Sequence, residues 1–300
     1  MKISNPPESS ALMATARSFG NYDLSAALAD LIDNSIKAHS TTIDIEFLLG
    51  ESDVAVFIRD NGDGMDGETL VQAMKPASSH PEEERREDDL GRFGWGMKSA
   101  SLSQARVMTV VSWTAEGTSA ASWDIDDIED WGMEYLEGSA AIELLGSKPG
   151  TPSGTEVQWQ KTDRLLQDLG ESDFQDALTH LIAQARESLS LVFHRYIAGD
   201  GGSKLTIRIN GSELPKVDPF LKSNPATQSM DPEKIEMANG ATIYLQPYVL
   251  PHFSKLTSEA QRTLGGAEGM VRNQGFYVYR NRRLIIHGTW FKLIPHRDLS

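Results

Sequence analysis

The segment Ser25 to Ala38, SAALADLIDNSIKA, constrains the fold more than any other part of the chain. Leu28, Leu31 and Ile32 recur at helical spacing, so the segment reads as an amphipathic helix with one face in a core. Asp30, Asp33 and Asn34 interrupt that apolar repeat. Asp30 and Asn34 are four residues apart and point the same way, one turn apart. A carboxylate and an amide held together beside a core call for something polar between them. The next two stretches, TTIDIEFLL and VAVFIRD, alternate as paired strands do and are joined by the turn GESD. The chain therefore opens as helix, strand, turn, strand.

Asp60 ends the second strand and begins DNGDGM, in which Gly62 and Gly64 permit positive backbone angles and the close approach of a ligand. A calcium loop is excluded, because an EF-hand starting at Asp60 needs a ligand at its third position and Glu at its twelfth, where Gly62 and Val71 stand. Further on, GRFGWGMKS is not a Walker loop: Met97 separates Gly96 from Lys98, and no apolar strand precedes it. Its glycines still present backbone N–H groups at a helix start, where the dipole favours anions, and Lys98 adds a formal charge. Between the two motifs, SSHPEEERREDD has the charge density of an exposed loop.

Strand candidates RVMTVVSW, SAASWDI and GTEVQWQ follow, making the first region a helix-and-sheet sandwich. A helical pattern runs from about Glu171 to Ile197, and AGDGGS after it has the composition of a linker. The predicted domains are residues 1–197 and 204–300, the second rich in strands (KLTIRING, ATIYLQPYVL, GFYVYRNRRLIIHG) and ending at PHRDLS without a closing element. RNRR, Arg280 to Arg283, reads as a solvated hairpin, with phosphate contact or a domain-interface role as the functional alternatives. His180, His194 and Trp159 read as packing residues.

Lys and Arg total 28 against 43 Asp and Glu, a net charge of −15, which disfavours a surface made for nucleic acid all over but leaves room for a local basic patch. Without cysteine there is no disulfide or thiolate site, and the seven His form no HExxH pair, so any metal is held by oxygen. The N-terminus lacks the apolar run of a signal peptide and no segment reaches membrane-spanning length, so the expected location is the cytoplasm, with no membrane partner.

In order and spacing, a helix with Asp30 and Asn34, a strand-end Asp60 with glycines, a charged loop, a second glycine cluster and finally GTEV closely resemble the GHKL ATPase superfamily of gyrase B, MutL, the ninety-kilodalton heat-shock chaperone, MORC proteins and histidine kinases. SFGNYDLSAALADLIDNSIKA, GRFGWGMKSAS and GFYVYRNRRLI look most like MORC and its bacterial relatives, which are often associated with DNA restriction or phage defence. The resemblance implies an α+β chain: a Bergerat-type α/β sandwich that binds ATP, then an incomplete transducer-like domain. It implies ATP and Mg²⁺ as cofactors. The same resemblance assigns Asn34 to the metal, and assigns to the nucleotide the residues whose roles follow. Asp60 accepts the adenine amino group, with Thr155 assisting through its hydroxyl or a water, and Met65 lies against the ring. Gly62 and Gly64 shape that pocket, while Gly91, Gly94, Gly96 and Lys98 surround the phosphates. Residues 75–89 become the ATP lid.

Asp30 stands where the superfamily usually has Glu as general base. One methylene shorter, it either seats the water differently or makes hydrolysis slow. Lys37 stands where many relatives have Asp. The transducer lysine of the superfamily is expected beyond PHRDLS. The implied function is a clamp that dimerises on ATP and reopens on hydrolysis, with DNA or a DNA-processing protein as a further partner. A nucleotide-gated binding module with little hydrolysis is the alternative from another class. A histidine kinase is disfavoured, because no phosphoacceptor helix is present.

Overall fold

The structure is a computed structural model and describes residues 3, 8–17, 22–50, 53–76, 95–129, 131–145, 149–167 and 174–292. Most of the expected lid, together with Gly91 and Gly94 and the terminal PHRDLS, lies outside those residues. Two compact units are present, Met1–Leu189 with Gly199–Leu214, and Ser190–Ala198 with Pro215–Ser300.

The first unit opens with helices α1 (Ser9–Ala16) and α2 (Leu24–Lys37), then strands β1 (Thr42–Leu49) and β2 (Val54–Asp60) and helices α3 (Gly67–Met74) and α4 (Gly96–Gln104). Strands β3 (Val107–Thr114), β4 (Gly117–Asp124) and β5 (Glu134–Glu137), helix α5 (Ser139–Glu143) and strand β6 (Gly154–Gln160) follow. Helices α6 (Asp163–Gln167) and α7 (Phe174–Val192) lead to strands β7 (Thr206–Ile209) and β8 (Ser212–Glu213). The strands form one mixed sheet in the order β5-β4-β3-β6-β2-β1-β7-β8. The chain is thus α+β, with a large mixed sheet and helices followed by a strand-rich C-terminal region.

Asp23 caps α2 by accepting the Ala26 N–H at 2.7 Å, and Lys37 in the last turn complements the helix dipole. The buried face of α2 is Leu24, Ala27, Leu28, Leu31, Ile32 and Ser35. It covers the sheet face bearing Val56, Ile58 and Asp60 of β2, as the bond between Ser35 and Asp60 shows. Period-two alternation puts Ile43 and Ile45 of β1 and Val157 and Trp159 of β6 on that face. On the opposite face α5 closes a smaller cluster of Val111, Trp113, Ala120, Ala141 and Leu145.

KLTIRING joins this first sheet instead of opening a second domain. It supplies β7, which pairs in parallel with β1 from Thr206 opposite Thr42 to Ile209 opposite Ile45. Ile207 and Ile209 are buried and extend the apolar row of β1, and Arg186 of α7 donates to the carbonyls of Ser212 and Glu213 at 3.0 and 2.8 Å. The composition of AGDGGS suits a tight return to the same sheet as well as it suits a linker.

The second unit holds helix α8 (His194–Ala198), short strands β9 (Gln228–Ser229), β10 (Glu233–Glu236), β11 (Thr242–Leu245) and β12 (Tyr248–Val249), helices α9 (Ser258–Thr263) and α10 (Gly266–Arg272), and the hairpin of β13 (Phe276–Arg280) and β14 (Arg283–Thr289). RNRR forms the turn of that hairpin, and two of its arginines are packed. Arg282 lies 4.4 Å over Tyr196 and Arg283 4.6 Å over Phe193. His194 is buried and shares a 2.8 Å hydrogen bond with Tyr279, as a packing residue does. His180, by contrast, is exposed and pairs with Gln184 one turn along α7.

Candidate functional site

The C-terminal end of α2 and the turn after β2 meet directly. The Asp63 N–H donates to the Ala38 carbonyl at 2.8 Å, and a Cβ on Gly62 would stand 2.6 Å from that same oxygen. No side chain fits there. Gly64 has φ +72°, and a Cβ on it would fall 2.2 Å from the Trp113 carbonyl, so both its backbone angle and its surroundings demand glycine.

Asp60 sits at the centre of the turn. Gly62 N–H donates to Oδ1 and Ser35 Oγ to Oδ2, each at 2.8 Å, and the Thr155 backbone N–H adds a third donor. Burial nevertheless raises the Asp60 carboxyl above the usual carboxylate range, the three hydrogen bonds opposing that effect. Thr155 faces Asp60 across the β2–β6 pair, but its hydroxyl is bonded to Ser112 Oγ at 2.9 Å. Ser112 also accepts the Met65 N–H at 2.8 Å. Ser35, Asp60, Thr155, Ser112 and Met65 thus form one connected set at the edge of a turn in which Gly62 and Gly64 leave the backbone uncovered.

The sequence reading missed Ser35 and Ser112. Ser35 follows Asn34 directly in DNS, and its position on the buried helix face was available from the periodicity. Ser112 gave no signal: its role depends on β3 pairing with β6 to set Ser112 opposite Thr155.

Earlier along α2, Asp30 is half-buried and Asn34 exposed. A Cβ on Gly96, the first residue of α4, would stand 4.0 Å from Asp30 Oδ2, so the glycine-rich helix start lies against this carboxylate. Trp95, which precedes it, makes no side-chain cap bond, and the dipole of the helix start favours an anion there. Lys98 in the same turn is buried, and burial lowers its ammonium to about 8. Asp30, Asn34, Asp60, Gly62, Gly64, Met65, Gly96, Lys98 and Thr155 therefore all lie on the helix-covered side of the sheet or on the elements bounding it.

Asn34 suits Mg²⁺ as a single hard oxygen donor. Among the described residues no group of three His, Asp or Glu is arranged to hold a metal, so such an ion would come with most of its ligands from phosphate and water. No described helix is long and apolar enough to cross a membrane.

No curated protein shows a significant match to the chain. The family model described as histidine kinase-, DNA gyrase B-, and HSP90-like ATPase matches residues 22–151, and the stretch that carries α2, the Asp60 turn and α4 is similar to that family.

Proposed function

We propose that the chain is a Mg²⁺-dependent ATPase that works as a nucleotide-driven clamp, dimerising when ATP is bound. The observation that carries the reading is the layout of α2. Ser35, bonded to Asp60, and Asp30, beside the start of α4, are separated by about 7.5 Å of helix axis at the usual rise per residue. One helix thus touches the Asp60 turn at one end and the glycine-led start of α4 at the other. The buried Asp60 carboxylate accepts the adenine amino group, Met65 lines the ring, and the α4 amides with Lys98 neutralise phosphate oxygens. Asn34 would hold Mg²⁺, which when bound withdraws charge from the phosphates.

In the reaction a water oxygen attacks the terminal phosphorus and the bond to the ADP oxygen breaks, leaving ADP and phosphate. Asp30 orients the water and takes its proton. The finer reading is a MORC-like role in bacterial DNA restriction or phage defence, with DNA or a DNA-processing protein as partner. The gating module with little hydrolysis remains the second reading, favoured by one residue: the Asp30 carboxylate is a methylene shorter than the usual Glu.

Calorimetry and a hydrolysis assay test the proposal together. The native protein should bind Mg²⁺-ATP and release phosphate, and Asp60→Asn, which turns a donor toward the adenine amino donor, should lose binding while remaining folded. A folded Asp60→Asn variant that keeps ATP affinity within about twofold overturns the pocket. Binding without single-turnover hydrolysis selects the gating module.

A further inference from the structure

Asp60, Thr155 and Ser112 stand in one row across neighbouring strands. Thr155 of β6 is opposite Asp60 of β2 on one side and opposite Ser112 of β3 on the other, so the three side chains share the helix-covered face of the sheet. Ser112 is fully buried. Its hydroxyl oxygen lies 2.8 Å from the Met65 amide nitrogen, 3.0 Å from the Gly154 carbonyl oxygen and 2.9 Å from Thr155 Oγ1. A hydroxyl has one proton to give and lone pairs to receive with. The Met65 amide can only donate and the Gly154 carbonyl can only accept, so the one assignment that satisfies every contact sends the Ser112 proton to Gly154. Thr155 then gives its own proton to Ser112.

That order fixes what Thr155 can do toward a ligand. With its proton committed to Ser112, the half-buried Thr155 hydroxyl has only lone pairs to offer anything else. Asp60 beside it is an acceptor too, since the Gly62 N–H and Ser35 Oγ both donate to its oxygens. Resting on the reading of Asp60 as the adenine acceptor, we propose that Ser112 is a positioning residue for base specificity: it orients the Thr155 hydroxyl as a second acceptor, so that the site selects a purine with an amino group at its 6-position and rejects one with oxygen there. An amino group carries two N–H donors, one for each acceptor. A 6-oxo group sets its own lone pairs against both and leaves neither with a donor. Ser112, with no exposed surface, acts through the threonine rather than on the base.

The probes are ATP and inosine triphosphate, in which oxygen replaces the 6-amino group and N1 gains a proton. Calorimetry with the full chain should give ATP an affinity at least about a hundredfold above that of the 6-oxo nucleotide. Ser112→Ala releases the Thr155 proton, which can then turn toward the 6-oxygen, so the preference should shrink about tenfold. Ser112→Cys, which fills the same space with a poorer acceptor, should shrink it in the same direction and guards against misfolding of the alanine variant. Thr155→Val removes the second acceptor and should cost about as much of the preference as Ser112→Ala, and the two together should cost no more than Thr155→Val alone.

The ratio of the two affinities is the deciding quantity. A serine that merely pins the Met65 turn lowers both affinities together, so a ratio within about twofold of native in the folded Ser112 variants overturns the proposal. Equal affinity of the native chain for the two nucleotides overturns it as well, and so does a further fall when Ser112→Ala is added to Thr155→Val. The underlying reading fails separately: a native chain that binds neither nucleotide, or an Asp60→Asn variant that keeps native ATP affinity, removes the adenine site and the role of Ser112 with it.

Discussion

At the scale of single residues, the charges in this site are held at a cost that a nucleotide would offset. Lys98 shows the sign. Its ammonium titrates near 10.5 when unfolded and at about 8 in the fold, because burial disfavours the charged form. Between those values the folded chain binds fewer protons than the unfolded one, so stability rises with pH across that window, and below about 8 the whole penalty is present. Lys98→Met should therefore stabilise the nucleotide-free protein at pH 7 by about 2–3 kcal/mol, a gain that fades as the pH approaches the unfolded value. It should also weaken ATP binding at least about tenfold, since a buried cation facing phosphate is lost. Urea unfolding at pH 7 and near pH 10, with calorimetry at pH 7, checks both; a variant less stable than native at pH 7 shows that partners of the ammonium outweigh its burial. Asn34 should fail differently. Asn34→Ala removes one hard oxygen, so affinity for ATP with Mg²⁺ should drop to the value the native protein shows with chelator, while metal-free binding stays unchanged. An equal loss with and without the metal assigns Asn34 to the nucleotide itself.

At the scale of elements, the site is a set of joints between helix ends and turns, and the joints were legible where the chain spells them locally. The helix over Ser25 to Ala38, the strand ending in Asp60 and the glycine turn after it all appear in the structure because each is dictated by periodicity or backbone sterics within a dozen residues. The partners of Asp60 were not legible in the same way. Ser112 lies 52 positions away and Thr155 95, and both arrive only because β6 pairs between β2 and β3. Nothing in a single sequence ranks such non-local pairings. The same limit moved KLTIRING: its apolar alternation identified a strand, but not the neighbour it would choose. The turn itself predicts a steep effect. Gly64→Ala must adopt φ near +72° with a Cβ 2.2 Å from the Trp113 carbonyl, so the backbone has to shift. A loss of about 2–4 kcal/mol in unfolding free energy is expected from strain and displaced packing, along with weakened ATP binding, because Met65 and its bond to Ser112 move with the turn. Unfolding within about 0.5 kcal/mol of native argues that the turn is plastic.

At the scale of the whole molecule, charge is divided unevenly between the two units. The first carries 16 Lys and Arg against 36 Asp and Glu, a formal net charge of −20, and the second 12 against 7, a net charge of +5. Any contact with nucleic acid phosphate is therefore electrostatically favoured at the second unit, where Arg195, Arg282 and Arg283 are already spread over aromatic rings. The more general consequence concerns assembly. If ATP brings two copies together through their first units, each copy presents a net charge of −20 to the other, and the nucleotide adds more negative charge. Repulsion of that kind acts over a Debye length, about 30 Å at 0.01 M salt and about 8 Å at 0.15 M. Nucleotide-dependent dimerisation should thus be weak at low ionic strength and tighten as salt is raised from about 0.02 to 0.2 M, the reverse of an assembly built on opposite charges. Light scattering with a non-hydrolysable ATP analogue and Mg²⁺, repeated across that salt range, reads this directly. A protein that stays monomeric throughout removes the clamp and leaves the gating module. A dimer that dissociates as salt rises is held instead by attraction between unlike charges, which screening weakens just as it weakens repulsion.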